Sequence, residues 1–194
     1  GLPPAFFSSQ LEEPFYTDWL DSFWGKDVQE LFPVERKTSF LKLAELILRQ
    51  SGGIFEAGSF SGPCEISRQT VTNYLEILST TLFVFILRPF DRNRANEITR
   101  APKVYGFDTG FVCYAKGWDS LRQDDFGFLL EHLVLSELLA RFDRNSIYYW
   151  RDKQKHEIDF IVKLRRGKET HLIECKSSHR EFDPSAAVLF RKHS

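Results

Sequence analysis

The spacing of apolar residues changes along the chain, and this change restricts the fold to one that combines helices with a sheet. In the first half, apolar residues recur at helical spacing over residues 18–31, 39–50 and 67–78. In the last third, short apolar runs alternate with polar turns: SIYYWR (146–151), EIDFIVK (157–163) and HLIECK (171–176). Helical spacing predicts amphipathic helices, and short apolar runs between polar turns predict strands. The sequence therefore predicts an α/β (α+β) fold, in which a helical region precedes an α/β module with a mixed sheet.

The helical region has the pattern of a winged helix. A helix over 39–50 ends at SGG (51–53), a turn-rich stretch covers 58–65, and Ser67 is placed to cap a second helix. Strands predicted over 82–87 and 103–107 follow that helix. The basic residues between these strands would form the wing: Arg88, Arg92, Arg94 and Arg100.

The second helix has one apolar and one polar face, as a DNA recognition helix needs. Its apolar face comprises Val71, Tyr74, Leu75 and Leu78. Its polar face comprises Arg68, Gln69, Thr72 and Asn73. Such side chains can contact base edges and phosphates while the apolar face anchors the helix. The alternative is a helical subdomain that packs on another domain and never touches DNA.

The small net charge of the chain conceals a local basic excess. With 26 Lys and Arg against 27 Asp and Glu, the formal net charge is −1, which excludes a uniformly basic nucleic-acid binder. Residues 141–180 nevertheless carry eleven basic and six acidic groups, and residues 88–103 carry five and two. These segments are either phosphate-contacting surfaces or ordinary solvated faces.

Three carboxylates and a lysine occupy positions in the last third that would bring them together. Glu131 lies on the apolar face of a helix predicted over 127–142, where an unpaired carboxylate is costly. Asp159 interrupts an apolar strand, on the face that also carries Ile161. Glu174 and Lys176 are two residues apart on the next strand and therefore share a face.

This set of side chains suits metal-dependent phosphodiester chemistry. Mg²⁺ or Mn²⁺ is held by carboxylates, water and phosphate, and a metal-bound water can attack phosphorus. Asp159, Glu174 and Glu131 would be the ligands, Lys176 would act at the attacking water, and Arg151 would contact phosphate. The spacing resembles the PD-(D/E)XK nuclease pattern. The alternative is a buried salt bridge that joins Glu174 or Asp159 to Lys176 or Arg151.

Several stretches of the chain match a known family: CEISRQTVTNYLEIL, and most specifically APKVYGFDTG together with EIDFIV followed by IECK. Through these stretches the chain as a whole resembles the domain of unknown function that follows the P-loop domain of prokaryotic AAA-type ATPases. The resemblance implies a winged-helix-like region, then a nuclease-like module with Glu131, Asp159, Glu174 and Lys176 at its core. It also implies that an ATPase domain precedes this chain in cis, and that ATP binds only there. The absence of methionine agrees with an excised fragment.

Three segments follow from these patterns: a connector with an amphipathic helix (1–38), the winged-helix-like region (39–110) and the restriction-endonuclease-like module (111–194). The sequence contains no GxxxxGK[ST] phosphate-binding loop and no apolar run of the roughly 20 residues that span a bilayer. The three cysteines are too few and too scattered for a disulfide framework, which favours a reducing, cytoplasmic compartment. We expect a cytoplasmic protein that binds DNA and no membrane. Three functions stay open: a nuclease, an inactive nuclease-like module that docks DNA or protein, and a homo-oligomerisation domain.

Overall fold

The computed structural model describes residues 13–91, 93–164, 169–176 and 184–193. The helices are α1 (Glu13–Phe23), α2 (Lys37–Arg49), α3 (Ala57–Cys64), α4 (Arg68–Thr80), α5 (Arg94–Thr99), α6 (Thr109–Lys116), α7 (Asp125–Arg141) and α8 (Ser185–His193). The strands are β1 (Gly53–Ile54), β2 (Val84–Pro89), β3 (Lys103–Gly106), β4 (Ile147–Arg151), β5 (Glu157–Lys163) and β6 (Thr170–Ile173). The strand order is β1-β3-β2-β4-β5-β6, with parallel and antiparallel pairs. The mixed α/β class is therefore confirmed.

The chain divides into two compact units. Unit 1 comprises Gly1–Phe85 and Val104–Asp119, and unit 2 comprises Ile86–Lys103 and Ser120–Ser194. The divisions fall within β2 and β3.

The core of unit 1 is formed by the helices that apolar spacing predicts. Five residues of α2 are buried: Phe40, Leu43, Ala44, Ile47 and Leu48. In α4 the buried residues are Val71, Tyr74, Leu75 and Leu78, as the sequence predicts. The side chain of Ser67 accepts a hydrogen bond from the Thr70 amide (3.0 Å), so the predicted N-cap is confirmed.

Two segments of unit 1, α3 and α1, differ from the prediction. Residues 58–65 were expected to be turn-rich, but most of them belong to α3, which buries Phe60 and Cys64. Burial of these two side chains outweighs the low helix propensity of the glycines and Pro63. Helix α1 begins at Glu13, before the helical pattern that starts at residue 18, and continues as a π-helical segment to Val28. Leu31, the last residue of that predicted helix, lies beyond the helical segment and is 68% exposed.

The segment between β2 and β3, which belongs to unit 2, contains a helix where an open wing was expected. Asn93 caps α5 by accepting a hydrogen bond from the Ala95 amide (3.0 Å). The Asp91 carboxylate accepts hydrogen bonds from the Asn93 amide (2.9 Å) and from Arg100 (3.4 Å). Because short-range polar contacts satisfy the backbone here, the segment folds on itself. Arg92 lies outside the described residues, and Arg94 is the first residue of α5.

The sheet of unit 2 pairs β4 with β2 in parallel and with β5 in antiparallel orientation, and β5 also pairs with β6. Helix α8 covers one face. The core on that face comprises Trp150, Ile158, Ile161, Ala186 and Phe190. Among the helices that the structure describes, none is both long and apolar enough to cross a membrane.

Candidate functional site

A β-bulge in β5 positions Asp159. Trp150 pairs with Ile158, whereas Tyr148 pairs with Ile161, so β5 has one residue more than β4 across this interval. The bulge puts both Ile158 and Ile161 in the core beneath α8. The sequence analysis, which assumed strict alternation, placed Asp159 and Ile161 on the same face of the strand. That expectation is wrong, because the extra residue shifts the alternation of side chains between the two faces.

The carboxylate of Asp159 is held by the chain segment that follows β6. Its Oδ2 atom accepts a hydrogen bond from the backbone amide of Cys175 at 2.7 Å. Burial raises the pKa of Asp159, while this hydrogen bond and the ammonium groups of Lys103 and Lys176 act to lower it. Asp159 is thus a half-buried carboxyl group whose ionised form depends on nearby donors and cations.

Glu174 and Lys176 lie immediately beyond the end of β6. The sequence extended this strand to residue 176, but the described strand ends at Ile173. The Lys176 ammonium is 3.0 Å from Glu174 Oε1, and the two side chains are 35% and 18% exposed. This ion pair is one of the pairings that the salt-bridge alternative foresaw.

Cys175 is a point on which three of the four predicted residues act, namely Glu131, Asp159 and Lys176. Burial, together with the carboxylates of Asp159 and Glu131, raises the pKa of its thiol to about 12, and the ammonium groups of Lys176 and Lys103 oppose this shift. Glu131 on α7 therefore faces the same region as Asp159 and the segment after β6. Because this pKa lies far above neutral pH, the Cys175 thiol is protonated at neutral pH.

Lys103 is a member of this cluster that the sequence analysis did not single out. It begins β3 and is 5% exposed, and its ammonium forms an ion pair with Glu157. The ammonium also lies 5.6 Å from the centre of the Tyr149 ring. The available signal was a lysine at the start of the apolar run KVYGF, since lysine is seldom buried unless it is paired.

Arg151 also belongs to this group of charges, because its guanidinium pairs with Glu157. Its Nε atom lies 3.4 Å from Glu157 Oε2, so Glu157 lies between two cations, Lys103 and Arg151. The backbone carbonyl of Arg151 accepts a hydrogen bond from Arg100 (3.2 Å). The side chain is 31% exposed, which leaves part of the guanidinium accessible to solvent. We name the group Lys103, Glu131, Arg151, Glu157, Asp159, Glu174 and Lys176 the charged cluster.

The donors of the charged cluster suit a cation that is bound together with a phosphate. In the part of the chain that the structure describes, no group of three His, Cys, Asp or Glu residues could by itself hold a metal ion. Mg²⁺ is commonly held by one or two carboxylates, with water and substrate phosphate as the other ligands. Asp159 and Glu174 supply that number of carboxylates. A site built on these two carboxylates would need water and a phosphate to complete the coordination of Mg²⁺ or Mn²⁺.

The polar face of α4 is a separate exposed surface in unit 1. Arg68, Gln69, Thr72 and Asn73 are all exposed. The amide of Gln69 donates to Asn73 Oδ1 at 2.9 Å, so these two side chains hold each other in place. Three residues, 65–67, connect α3 to α4, a connection typical of helix-turn-helix units.

A family model for a domain of unknown function, DUF8612, matches residues 1–122. The chain belongs to the DUF8612 family. A second model, for the domain of unknown function DUF4143, matches residues 126–192. Lys103 lies within the DUF8612 match, whereas Glu131, Asp159, Glu174 and Lys176 lie within the DUF4143 match. The charged cluster thus combines residues from both matched regions.

Two curated relatives extend beyond this DUF8612 chain. They are uncharacterized protein Mb2031c of Mycobacterium bovis and uncharacterized protein Rv2008c of Mycobacterium tuberculosis. Each is 27% identical over 170 residues, which cover 84% of this chain and 38% of the relative. The chain therefore spans well under half the length of these relatives.

One solved structure is similar to part of the DUF8612 chain, the transcriptional regulator SlyA. It is 14% identical, covers 66% of this chain and 89% of its own, and superposes with a TM-score of 0.28. At that TM-score the likeness carries no argument about fold or function.

Proposed function

We propose that this chain binds DNA and cleaves its phosphodiester bonds with a divalent cation at the charged cluster. One observation carries the proposal: Asp159, Glu174 and Lys176 lie beside one another after a bulge and a strand end, and Glu131 acts on the same point. The element order α7, β4, β5, β6, α8 also has the acid-bearing helix first and the Asp- and Glu-x-Lys-bearing strands after it. That order suits the PD-(D/E)XK pattern that the sequence resembles.

Each residue has a separate role in this proposal. Asp159 and Glu174 would hold Mg²⁺ or Mn²⁺, and Glu131 would complete the ligand set through water or directly. A bound cation supplies charge neutralisation at the phosphate and lowers the pKa of a water molecule. Lys176 would leave Glu174 and hold the attacking water, and Arg151 would use its accessible donors on a phosphate oxygen.

The helix-turn-helix of α3 and α4 supports the DNA-binding part. Its second helix exposes Arg68, Gln69, Thr72 and Asn73 and buries its opposite face, which is the arrangement that major-groove contact requires. Arg68 is the one basic residue within α4, so it would contact phosphate. The side-chain amides of Gln69 and Asn73 would then make the base contacts. Replacing Arg68 by alanine should lower the slope of log affinity against log salt by about one. Lys42→Ala, on an exposed position of α2, is the matched control.

The family resemblance extends the proposal to the longer protein. An AAA-type ATPase domain in cis would bind ATP and act with this chain on DNA in the cytoplasm. The curated relatives leave room for such a domain, because more than half of each lies outside the matched region.

Cleavage assays on linear and supercoiled DNA with Mg²⁺ or Mn²⁺ test the nuclease proposal. Asp159→Asn and Lys176→Met should abolish cleavage and leave the fold intact. Asp152→Asn is the control, because Asp152 pairs with His156 in the turn between β4 and β5 (2.7 Å). Cleavage that persists in the Asp159 and Lys176 variants would contradict the proposal.

A second candidate is a nuclease-like module that no longer cleaves and instead docks DNA or protein for the ATPase. The specific observation in its favour is that cluster charges neutralise one another, through the Lys103–Glu157, Arg151–Glu157 and Glu174–Lys176 pairs. In that case Asp159→Asn and Glu174→Gln would leave DNA affinity unchanged, and neither Mg²⁺ nor Mn²⁺ would produce any cleavage by the wild-type chain.

A further inference from the structure

A groove in unit 1 runs beside α4, with a volume of about 850 Å³. The wall on α4 carries a stripe of residues three or four positions apart: Thr70, Asn73, Ile77 and Thr80. The opposite wall belongs to the segment 32–36 before α2, and the connection 65–67 between α3 and α4 also lines the groove. Of the four residues on the polar face of α4, Asn73 alone lines it. The groove is therefore a different surface from the proposed DNA face.

Hydrogen bonds tie the two walls together. Nη1 of Arg36 donates to the backbone carbonyl of Glu65 at 3.0 Å. The hydroxyl of Tyr74, on α4, is hydrogen-bonded to the backbone of Arg36. Because these contacts join the segment before α2 to both α4 and the α3–α4 connection, the groove is formed before any partner binds. A preformed site loses little conformational entropy on binding.

The groove has an apolar floor. Ile66 and Ile77 are half-buried, and Phe32 from the opposite wall and the buried Tyr74 line the same space. An aliphatic side chain placed among them would remove apolar surface from water. From Thr70 to Thr80 the α4 wall is about 15 Å long, which an extended segment of four or five residues spans.

The rim of the groove is acidic. Among the lining residues that the structure describes, the exposed side chains of Glu35, Glu65 and Glu76 face one cationic residue, Arg36. Within the described part of the chain, no ion pair neutralises these three carboxylates. A nucleic acid would place phosphates against them, which is repulsive, whereas a cationic partner is attracted. The charge of the rim thus favours a basic peptide over DNA.

We propose that this groove binds an extended basic peptide segment of a partner protein. The segment places an aliphatic side chain on the apolar floor, and lysine or arginine residues beside it reach the carboxylates of Glu65 and Glu76. Side chains of an extended segment alternate in direction, so one inward residue between two long basic ones suits this shape. The site lies within unit 1 and uses no residue of the charged cluster, so it is independent of the proposed nuclease function.

Fluorescence anisotropy with labelled peptides tests the proposal on this chain. The probe is the peptide SRKLRKS, which should bind saturably with a Kd below about 1 mM. Replacing its leucine by serine (SRKSRKS) should weaken binding about tenfold, because the apolar contact is lost. Replacing its basic residues by glutamate (SEELEES) should weaken binding at least about tenfold, because the rim then repels the peptide. Affinity for SRKLRKS should fall as salt is added, since exposed charges are screened.

Substitutions in the groove locate the binding site. Ile77→Ser should weaken binding of SRKLRKS about tenfold, and Glu76→Gln should weaken it about threefold. Glu45→Gln is the matched control, because Glu45 is an exposed carboxylate of α2 outside the groove, and this variant should keep the wild-type affinity. Circular dichroism checks that Ile77→Ser is folded. Glu76→Gln changes an exposed side chain and tests the site even if Ile77→Ser unfolds.

Three results would overturn the proposal. The first is no saturable binding of SRKLRKS below about 1 mM. The second is an equal loss of affinity in Glu76→Gln and Glu45→Gln. The third is a loss of affinity for duplex DNA in Glu76→Gln while SRKLRKS binds as before, which would assign the groove to nucleic acid. Because the peptide assay contains neither DNA nor a divalent cation, its failure would leave the proposed nuclease function untouched.

Discussion

The ion pair between Lys103 and Glu157 should respond asymmetrically to removal of its two partners. The Lys103 side chain is 6% exposed and the Glu157 side chain is 25% exposed. Glu157→Gln leaves a buried ammonium without its nearest carboxylate. Lys103→Met leaves a carboxylate that still has Arg151 at 3.4 Å and partial contact with water. The first change should therefore cost more stability than the second.

The expected magnitudes follow from burial. Removing one partner of a buried ion pair costs about 3–5 kcal/mol, and Asp159 partly replaces Glu157, so we expect about 3 kcal/mol for Glu157→Gln. After Lys103→Met, the partly exposed Glu157 carboxylate is still neutralised by Arg151. Losing an ion pair under these conditions costs about 1 kcal/mol or less, and we expect that cost for Lys103→Met. The double variant should cost about as much as Lys103→Met alone, because the buried charge is then gone.

Urea unfolding followed by circular dichroism measures these three free energies of unfolding. In thermal scans, each kcal/mol should appear as a shift of about 2–4 °C in Tm for a chain of this size. If Lys103→Met lowers the free energy of unfolding as much as Glu157→Gln does, the reasoning is refuted. The buried ammonium would then not depend on Glu157.

Further changes test the backbone, the core and the pH dependence. Leu82, two residues beyond the end of α4, has φ of 60° and is 69% exposed, so Leu82→Gly should raise the free energy of unfolding by about 1 kcal/mol. Gly117 has φ of 68° and open space around an added Cβ, so Gly117→Ala should lower the free energy of unfolding by about 1 kcal/mol through backbone strain alone. If Leu82→Gly and Gly117→Ala change this free energy in the same direction, the strain argument is contradicted. Gly106→Ala should cost about 1–3 kcal/mol by urea unfolding, because its Cβ would lie 2.6 Å from Leu48 Cδ2. Burial raises the pKa of Asp108 above 3.8, so the folded state binds more protons and the free energy of unfolding should fall as pH rises through the range just above 3.8. Asp108→Asn, which keeps a capping oxygen, should remove this pH dependence in urea titrations.

Helices with a clear apolar face could be predicted from the sequence, because their pattern and their burial have the same cause. The buried face of α4 and its Ser67 cap are confirmed. Asp108 caps α6 in the same way, because its side chain accepts hydrogen bonds from the amides of Gly110 (2.8 Å) and Phe111 (3.2 Å). Helix α3 was missed because glycine and proline suggest a turn, while the burial of Phe60 and Cys64 is a tertiary effect.

The residues of the candidate site could be proposed from the sequence, but their arrangement could not. Glu131, Asp159, Glu174 and Lys176 stand out because carboxylates inside apolar elements need partners. Periodicity could not reveal the bulge before Ile161, since a register shift depends on the neighbouring strand. It could not reveal Lys103 either, because that side chain reaches the cluster from a strand more than fifty residues away from Glu157.

The sequence by itself determined the succession of helices and strands, the polar face of α4 and the identity of the acidic residues. These properties depend on spacing along the chain, which is already present in the unfolded polymer. Only the tertiary structure decided which charges neutralise one another, where Asp159 points and that a groove forms beside α4. Those outcomes depend on contacts between distant segments, and the energy of burying a charge or a leucine exists only once the segments have met.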